Sequence, residues 1–182
     1  MGDKAAKVAE LFTKAVATTK CFDQNLRKVI VLVCCSQGRM LTEFKVGPEH
    51  LNQRGTLHGG FIAHLVDAVS TYALTANDHV DTRGVSIDLS VTYMSAAREG
   101  DNIEVEAITK KTGKKIAFLE VEVRNKDKNV ILATGRHTKY IGFLNSYFTF
   151  NSMKSVQQEK QVHIFFLYFM VLLLFFFMFI ME

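Results

Sequence analysis

Proline occurs once, at Pro48, and cysteine three times, at Cys21, Cys34 and Cys35, with no CxxC spacing. An odd set with two adjacent members argues against a disulfide framework and against a zinc site, so a reducing compartment fits best. A strong excess of one charge is missing too. The formal net charge of +4 would attract an anionic ligand, yet it is too small and too dispersed to argue for nucleic acid. The N-terminus has no apolar run, because Asp3, Lys4, Lys7 and Glu10 interrupt it, which argues against a secretory signal and against an Arg-rich transit peptide. Ala6 stands where a myristoylation signal favours Ser or Thr, so lipidation at Gly2 is discounted. His50, His64, His79 and His137 lack the spacing of a ligand set, so no metal is expected, and His137 in "GRHTK" reads as strand structure.

What is present suits one domain. The 182 residues allow a single compact core, and the hydrophobic share of 48 % is inflated by the last forty residues. Val8, Leu11, Phe12, Ala15 and Val16 recur at helical spacing, which predicts an amphipathic N-terminal helix packed on the domain. "LRKVIVLVCC", the turn Ser36-Gln37-Gly38 and "RMLTEFKV" predict a hairpin that buries Met40 or Leu41, Phe44 and Val46. Pro48 then opens an irregular segment through Asn52. From Gly59 to about Ala76 a long helix is expected, with Ile62, Leu65, Val66, Val69 and Ala73 on its apolar face.

After "NDHVDTRG" the pattern changes to alternation. Val85, Ile87, Leu89, Val91 and Tyr93 fall on one face of a half-buried strand, and Ser86, Asp88, Ser90, Thr92 and Met94 on the other. Ile103, Val105 and Ala107 alternate in the next run, then Ala117, Leu119, Val121 and Val123 beyond the turn "KKTGKK", and "VILATGRHTKY" makes a last strand. The strands follow one another without crossover helices. The expectation is therefore an α+β fold: an antiparallel sheet wrapped around one long helix.

The segment 143–161 reads as a polar linker after a domain of residues 1–142. The run 162–181 is apolar apart from His163, and about 20 such residues can span a bilayer as a helix. Its low-complexity Phe, Leu and Met repetition and its few basic flanks leave two readings open, a membrane anchor or a translated extension with no place in the folded protein.

The chemistry concentrates in "NQRGTLHGGFIAHLVDAVSTYAL", residues 52–74. A helix start presents unpaired N–H groups, and glycine lets a ligand approach them closely. A thioester carbonyl placed there would find the Gly59 N–H as an oxyanion donor, with His58 helping to fix it. The alternative is a glycine pair needed only for packing. Asp67 interrupts the apolar helix, and an ionised carboxylate is costly to bury without partners. It is either a general base or nucleophile beside substrate, or a solvated position facing outward beside His64 and Ser70.

"HLNQRGTLHGG", "LVDAVST", "GVSIDLSVTYMSAAREGD", "KKTGKKIAF" and "ATGRHTKYIG", in this order, resemble the hotdog-fold acyl-CoA thioesterases, specifically their small single-domain group, over about residues 5 to 142. The resemblance implies a homodimer of hotdog domains pairing to a homotetramer, with each active site at the dimer interface. There the oxyanion helix of one subunit faces the acid of the other. By motif it implies Asn52 and His58 in the loop entering the helix, Gly59 as carbonyl-binding N–H, Asp67 as base or nucleophile and Ser86 as water-placing group. It implies coenzyme A contacts at Asp88, Tyr93, Met94, Ser95, Arg98, Lys111, Gly113, Lys114, Lys115 and Tyr140. Arg98, Lys111, Lys114 and Lys115 also suit phosphate on their own chemistry, although a solvated hairpin tip explains the lysines equally well. Ala96, where the family often has proline, and Tyr140, where it frequently has histidine, depart from the pattern outside the catalytic set.

The implied reaction is hydrolysis of medium- to long-chain fatty acyl-CoA without a cofactor, in cytosol or mitochondria, or at an organelle surface if the tail is an anchor. A non-catalytic acyl-CoA-binding module, membrane-tethered if the tail is an anchor, and an enoyl-CoA hydratase are the rivals.

Overall fold

The computed structural model describes residues 3–26 and 31–142, all within the compact unit Met1–Gly142. The expected linker and apolar run, 143–161 and 162–181, lie outside the described residues, as does part of the first expected strand. Among the described residues no helix is long and apolar enough to cross a membrane.

The elements run α1 (Asp3–Thr18), β1 (Val31–Ser36), β2 (Arg39–Lys45), α2 (Gly59–Thr75), β3 (Val85–Tyr93), β4 (Asn102–Thr112), β5 (Ile116–Asn125) and β6 (Val130–Tyr140). Short 3-10 turns at Phe22–Leu26 and Pro48–His50 carry no periodicity that would reveal them in sequence. The six strands form one antiparallel sheet in the order β1-β2-β4-β5-β6-β3, so β1 and β3 are its edges. Helix α2 lies against one face. Its Ile62, Leu65, Val66, Val69 and Ala73 are all buried, together with Ile103, Val105, Ala107, Val121 and Val123 from the middle strands. This is the α+β architecture that the alternation and the missing crossover helices imply.

Close approach of α2 to β6 depends on Gly135, where an added Cβ would stand 2.5 Å from a methyl group of Val66. Real side chains do not pack that tightly, so glycine holds the helix near the strand that carries His137 and Lys139. α1 covers the same core through Ala5, Val8, Phe12 and Val16, and the Phe12 ring meets Tyr72 edge-on at 4.9 Å. Leu11, expected on that face, is instead exposed, because the burying stripe runs through positions 5, 8, 12 and 16. In β2 it is Met40 that is fully buried, while Leu41 is only partly covered.

The largest departure from the sequence reading is in β3. This strand pairs only with β6 and is not half-buried: Val85, Ile87 and Tyr93 are each more than half exposed. Strict alternation also fails. Leu89 pairs with His137, but a register shift between Ser86 and Asp88 sets Ser86, not Ile87, opposite Lys139. His137 and Lys139 are buried, facing α2, so this bulge turns Ser86 onto the α2 face, away from the Asp88 and Ser90 set to which its sequence position assigned it. One extra residue thus re-aims one hydroxyl.

Candidate active site

The start of α2 is built by the loop before it. Asn52 organises that loop: its amide oxygen accepts from the N–H groups of Arg54 (2.9 Å) and Thr56 (3.3 Å), and its amide nitrogen donates to the Thr56 hydroxyl at 2.9 Å. Gly55 turns the chain at φ +71°. The His58 N–H then donates to the His50 carbonyl at 2.8 Å, which holds the N-cap in place. The His58 Nδ1 accepts from the Gly60 N–H at 2.9 Å, and the His58 carbonyl accepts from Phe61 and Ile62. Gly59 is left as the first-turn donor that neither cap nor helix uses, and the Tyr93 hydroxyl donates to its carbonyl at 2.9 Å. The N–H of Gly59 is therefore aimed at the open end of the helix.

Two turns along α2, Asp67 is about half exposed (49 %), neither buried in the core nor fully solvated. Its Oδ1 lies 3.8 Å from His137 Nε2, beyond hydrogen-bond range. His137 is buried between two hydroxyls, Ser70 at 2.7 Å from Nδ1 and Ser86 at 2.8 Å from Nε2. Burial, with the positive Lys139 nearby, pushes its pKa down to about 4, against the opposing pull of Asp67 and Asp88. Lys139, also buried, donates to the Thr71 hydroxyl at 2.7 Å, and burial lowers its pKa as well. Asp67, Ser86, His137 and Lys139 thus form one polar cluster from three elements.

His137 is the member that sequence reasoning assigned to strand structure alone. A signal was available: Gly135, His137 and Lys139 alternate on the buried face of β6, and polar side chains there require partners. Burial of this histidine has a measurable consequence. The unfolded chain binds a proton near pH 6.5, whereas the folded chain does so only near pH 4. The stability that His137 contributes is complete above pH 6.5, declines as pH falls from 6.5 to 4, and is flat below that. The decline is at most roughly 3 kcal/mol. Urea unfolding of the wild type and of His137→Gln across this range should give curves that converge as pH drops; a constant offset contradicts the assignment.

The two groups of residues do not meet within one chain. Eight helical steps separate Gly59 from Asp67, about 12 Å along the axis. β3 runs beside α2, with Tyr93 at the Gly59 end and Ser86 at the Asp67 end. The residues implied for coenzyme A divide likewise. Tyr93 adjoins the helix start, and Met94 and Ser95 follow it, their N–H groups donating to the Leu132 carbonyl at 2.8 and 3.1 Å. Arg98 is exposed just beyond, its N–H held by Asp101 at 2.9 Å. At the other end Tyr140 pairs with Val85 and Ile116, beside the exposed turn carrying Lys111, Gly113, Lys114 and Lys115. Asp88 is exposed on β3 between the two groups. Among the described residues no cluster of His, Cys, Asp or Glu is arranged to hold a metal ion.

An antiparallel sheet curled on one long helix, with a primed helix start and a carboxylate two turns later, defines a hotdog-fold protein of the thioester-processing class. The family model described as "Thioesterase superfamily" matches residues 54–132. Human acyl-coenzyme A thioesterase 13 is 43 % identical over 129 residues, 71 % of this chain and 91 % of that protein. Two solved structures are similar throughout their length: zebra fish thioesterase superfamily member 2 (38 % identity, TM-score 0.72) and its mouse counterpart (38 %, TM-score 0.67), each covering 78 % of this chain and 100 % of theirs. The chain belongs to the thioesterase superfamily.

Proposed function

We propose that the protein is an acyl-CoA thioesterase whose two half-sites close on each other across a homodimer. Relatives named as acyl-coenzyme A thioesterases support the substrate class. The separation of Gly59 from Asp67 carries the rest of the reading, because one thioester carbon cannot touch both groups when about 12 Å of helix lies between them. A second chain supplies the missing half. β3 is an exposed edge with unpaired backbone groups and apolar side chains at Val85, Ile87 and Tyr93, a surface that calls for a partner strand. If two copies of β3 pair antiparallel about a two-fold axis near Leu89 and Ser90, the Ser86 end of one meets the Tyr93 end of the other. Asp67 and Ser86 of one protomer then face Gly59 and His58 of its partner.

In this arrangement the Gly59 N–H receives the thioester oxygen and stabilises the oxyanion as it forms. Asp67 takes a proton from water while the water oxygen attacks the carbonyl carbon. The C–S bond then breaks, the proton passes to the departing thiolate, and the products are a free fatty acid and coenzyme A. Ser86 holds the water, and Asn52 keeps the loop in shape behind His58. No cofactor enters, since a thioester is already activated and needs only position, an oxyanion donor and a base. Arg98 and the lysines of the 111–115 turn suit the phosphates, and Asp88, Tyr93 to Ser95 and Tyr140 line the approach. Exposed Ile108 and Phe118, on the sheet face away from α2, support the further pairing of two dimers into a tetramer.

Purified protein incubated with palmitoyl-CoA and a thiol-trapping dye should release one thiol per acyl group lost. Binding without thiol release would instead indicate a sequestering module, and water addition to an enoyl-CoA without thiol would indicate a hydratase.

A further inference from the structure

The bonds around His137 allow two placements of protons, and the carbonyls beside Ser70 select one. The Ser70 hydroxyl lies 2.6 Å from the Val66 carbonyl and 3.1 Å from the Asp67 carbonyl, both of which can only accept, and we assign its single proton to them. Ser70 Oγ then offers only lone pairs to His137 Nδ1 at 2.7 Å, and that nitrogen must carry hydrogen. Burial keeps the ring neutral at physiological pH, so Nε2 is bare and accepts the Ser86 proton at 2.8 Å. Ser86 has spent its only proton. Toward the side where Asp67 stands, it presents lone pairs alone.

We propose that His137 is a positioning residue that fixes the polarity of Ser86, so that a water beside Asp67 must donate one hydrogen to Ser86 and the other to the carboxylate. Both water hydrogens are then engaged, and an oxygen lone pair is left for the carbonyl carbon. The bulge in β3 belongs to the same device, since it is what turns Ser86 toward the ring. A Ser–His pair at this distance also invites an acyl-enzyme reading, with Ser86 as nucleophile and His137 as base. An imidazole whose pKa is about 4 is too weak a base for that at neutral pH, which favours water over serine as the attacking group.

This inference rests on the proposed thioesterase site, and its test separates the two. Long-range 1H–15N correlation spectra of the imidazoles at neutral pH should place the His137 proton on Nδ1; a proton on Nε2 overturns the inference whatever the activity. In kinetics with palmitoyl-CoA, His137→Leu should lower kcat by about tenfold or more with KM little changed. His137→Gln, whose amide can still accept from Ser86 and donate to Ser70, should recover most of that loss. In a Ser86→Ala background neither substitution should lower kcat further, because the group they act through is gone. Multiplying losses would make His137 merely structural and overturn the inference while leaving the thioesterase site standing. Wild-type turnover in Ser86→Ala alone overturns the role of Ser86 and the inference with it. Should His137→Leu fail to fold, Ser70→Ala, a near-isosteric change that frees the tautomer, should lower kcat in the same direction; unchanged kcat in that variant overturns the inference.

Discussion

Replacing Asp67 by asparagine or alanine is expected to lower kcat for palmitoyl-CoA by roughly 10²- to 10⁴-fold, the range that loss of a positioned base produces. The structure makes this a clean substitution. Asp67 is half exposed, and His137, 3.8 Å from its carboxylate, is neutral, so no ion pair with the imidazole is lost. Unfolding free energy should therefore change by less than about 1 kcal/mol, as for ordinary surface changes. KM should move little, since a base acts on the attacking water in the chemical step and not on coenzyme A binding. Steady-state kinetics and urea unfolding on the same preparations separate chemistry from folding. Equal turnover in all three proteins would return Asp67 to a solvated helix position.

The second large effect is expected at Gly59. Proline is tolerated at the first helical position, where its missing N–H breaks no helical bond and its fixed φ suits the turn. His58 before it has φ −66° and ψ 126°, an extended conformation that accepts a following proline. A Cβ at position 59 would sit 3.4 Å from the Tyr93 ring, an ordinary contact. Gly59→Pro thus removes the N–H assigned to the oxyanion while sparing the helix. Loss of one such donor costs roughly 10²- to 10³-fold in kcat. Gly59→Ala, which keeps the N–H, should retain most activity. Equal loss in both variants would mean that crowding, and not the missing donor, is responsible.

Much of this was legible in the chain itself. Helix α2, its buried face and the four-strand run after it follow from periodicity alone, because one period serves a packed helix and another a strand facing a core. The helix start was legible because two glycines after a histidine mark where backbone donors are open. Three features were not. The bulge at Ile87 depends on how β3 and β6 share twist, and alternation therefore put Ser86 on the wrong face. The edge position of β3 is a matter of topology, so an apolar–polar strand read as half-buried where the chain leaves it exposed. His137 looked like an ordinary strand residue because its partners, Ser70 and Ser86, lie 67 and 51 positions away in sequence. Local pattern determines elements; long-range pairing determines which hydroxyl meets which ring.

The central claim is that Gly59 and Asp67 act on one thioester from different protomers. Asp67→Asn and Gly59→Pro chains, each inactive alone, can be unfolded together in equal amounts and refolded. Random pairing makes half the dimers mixed, each with one intact site, so activity should recover to about a quarter of the wild-type value. A mixture that stays at the level of the separate variants, with mixed dimers verified by mass, would contradict the account, because the two groups would then belong to one chain.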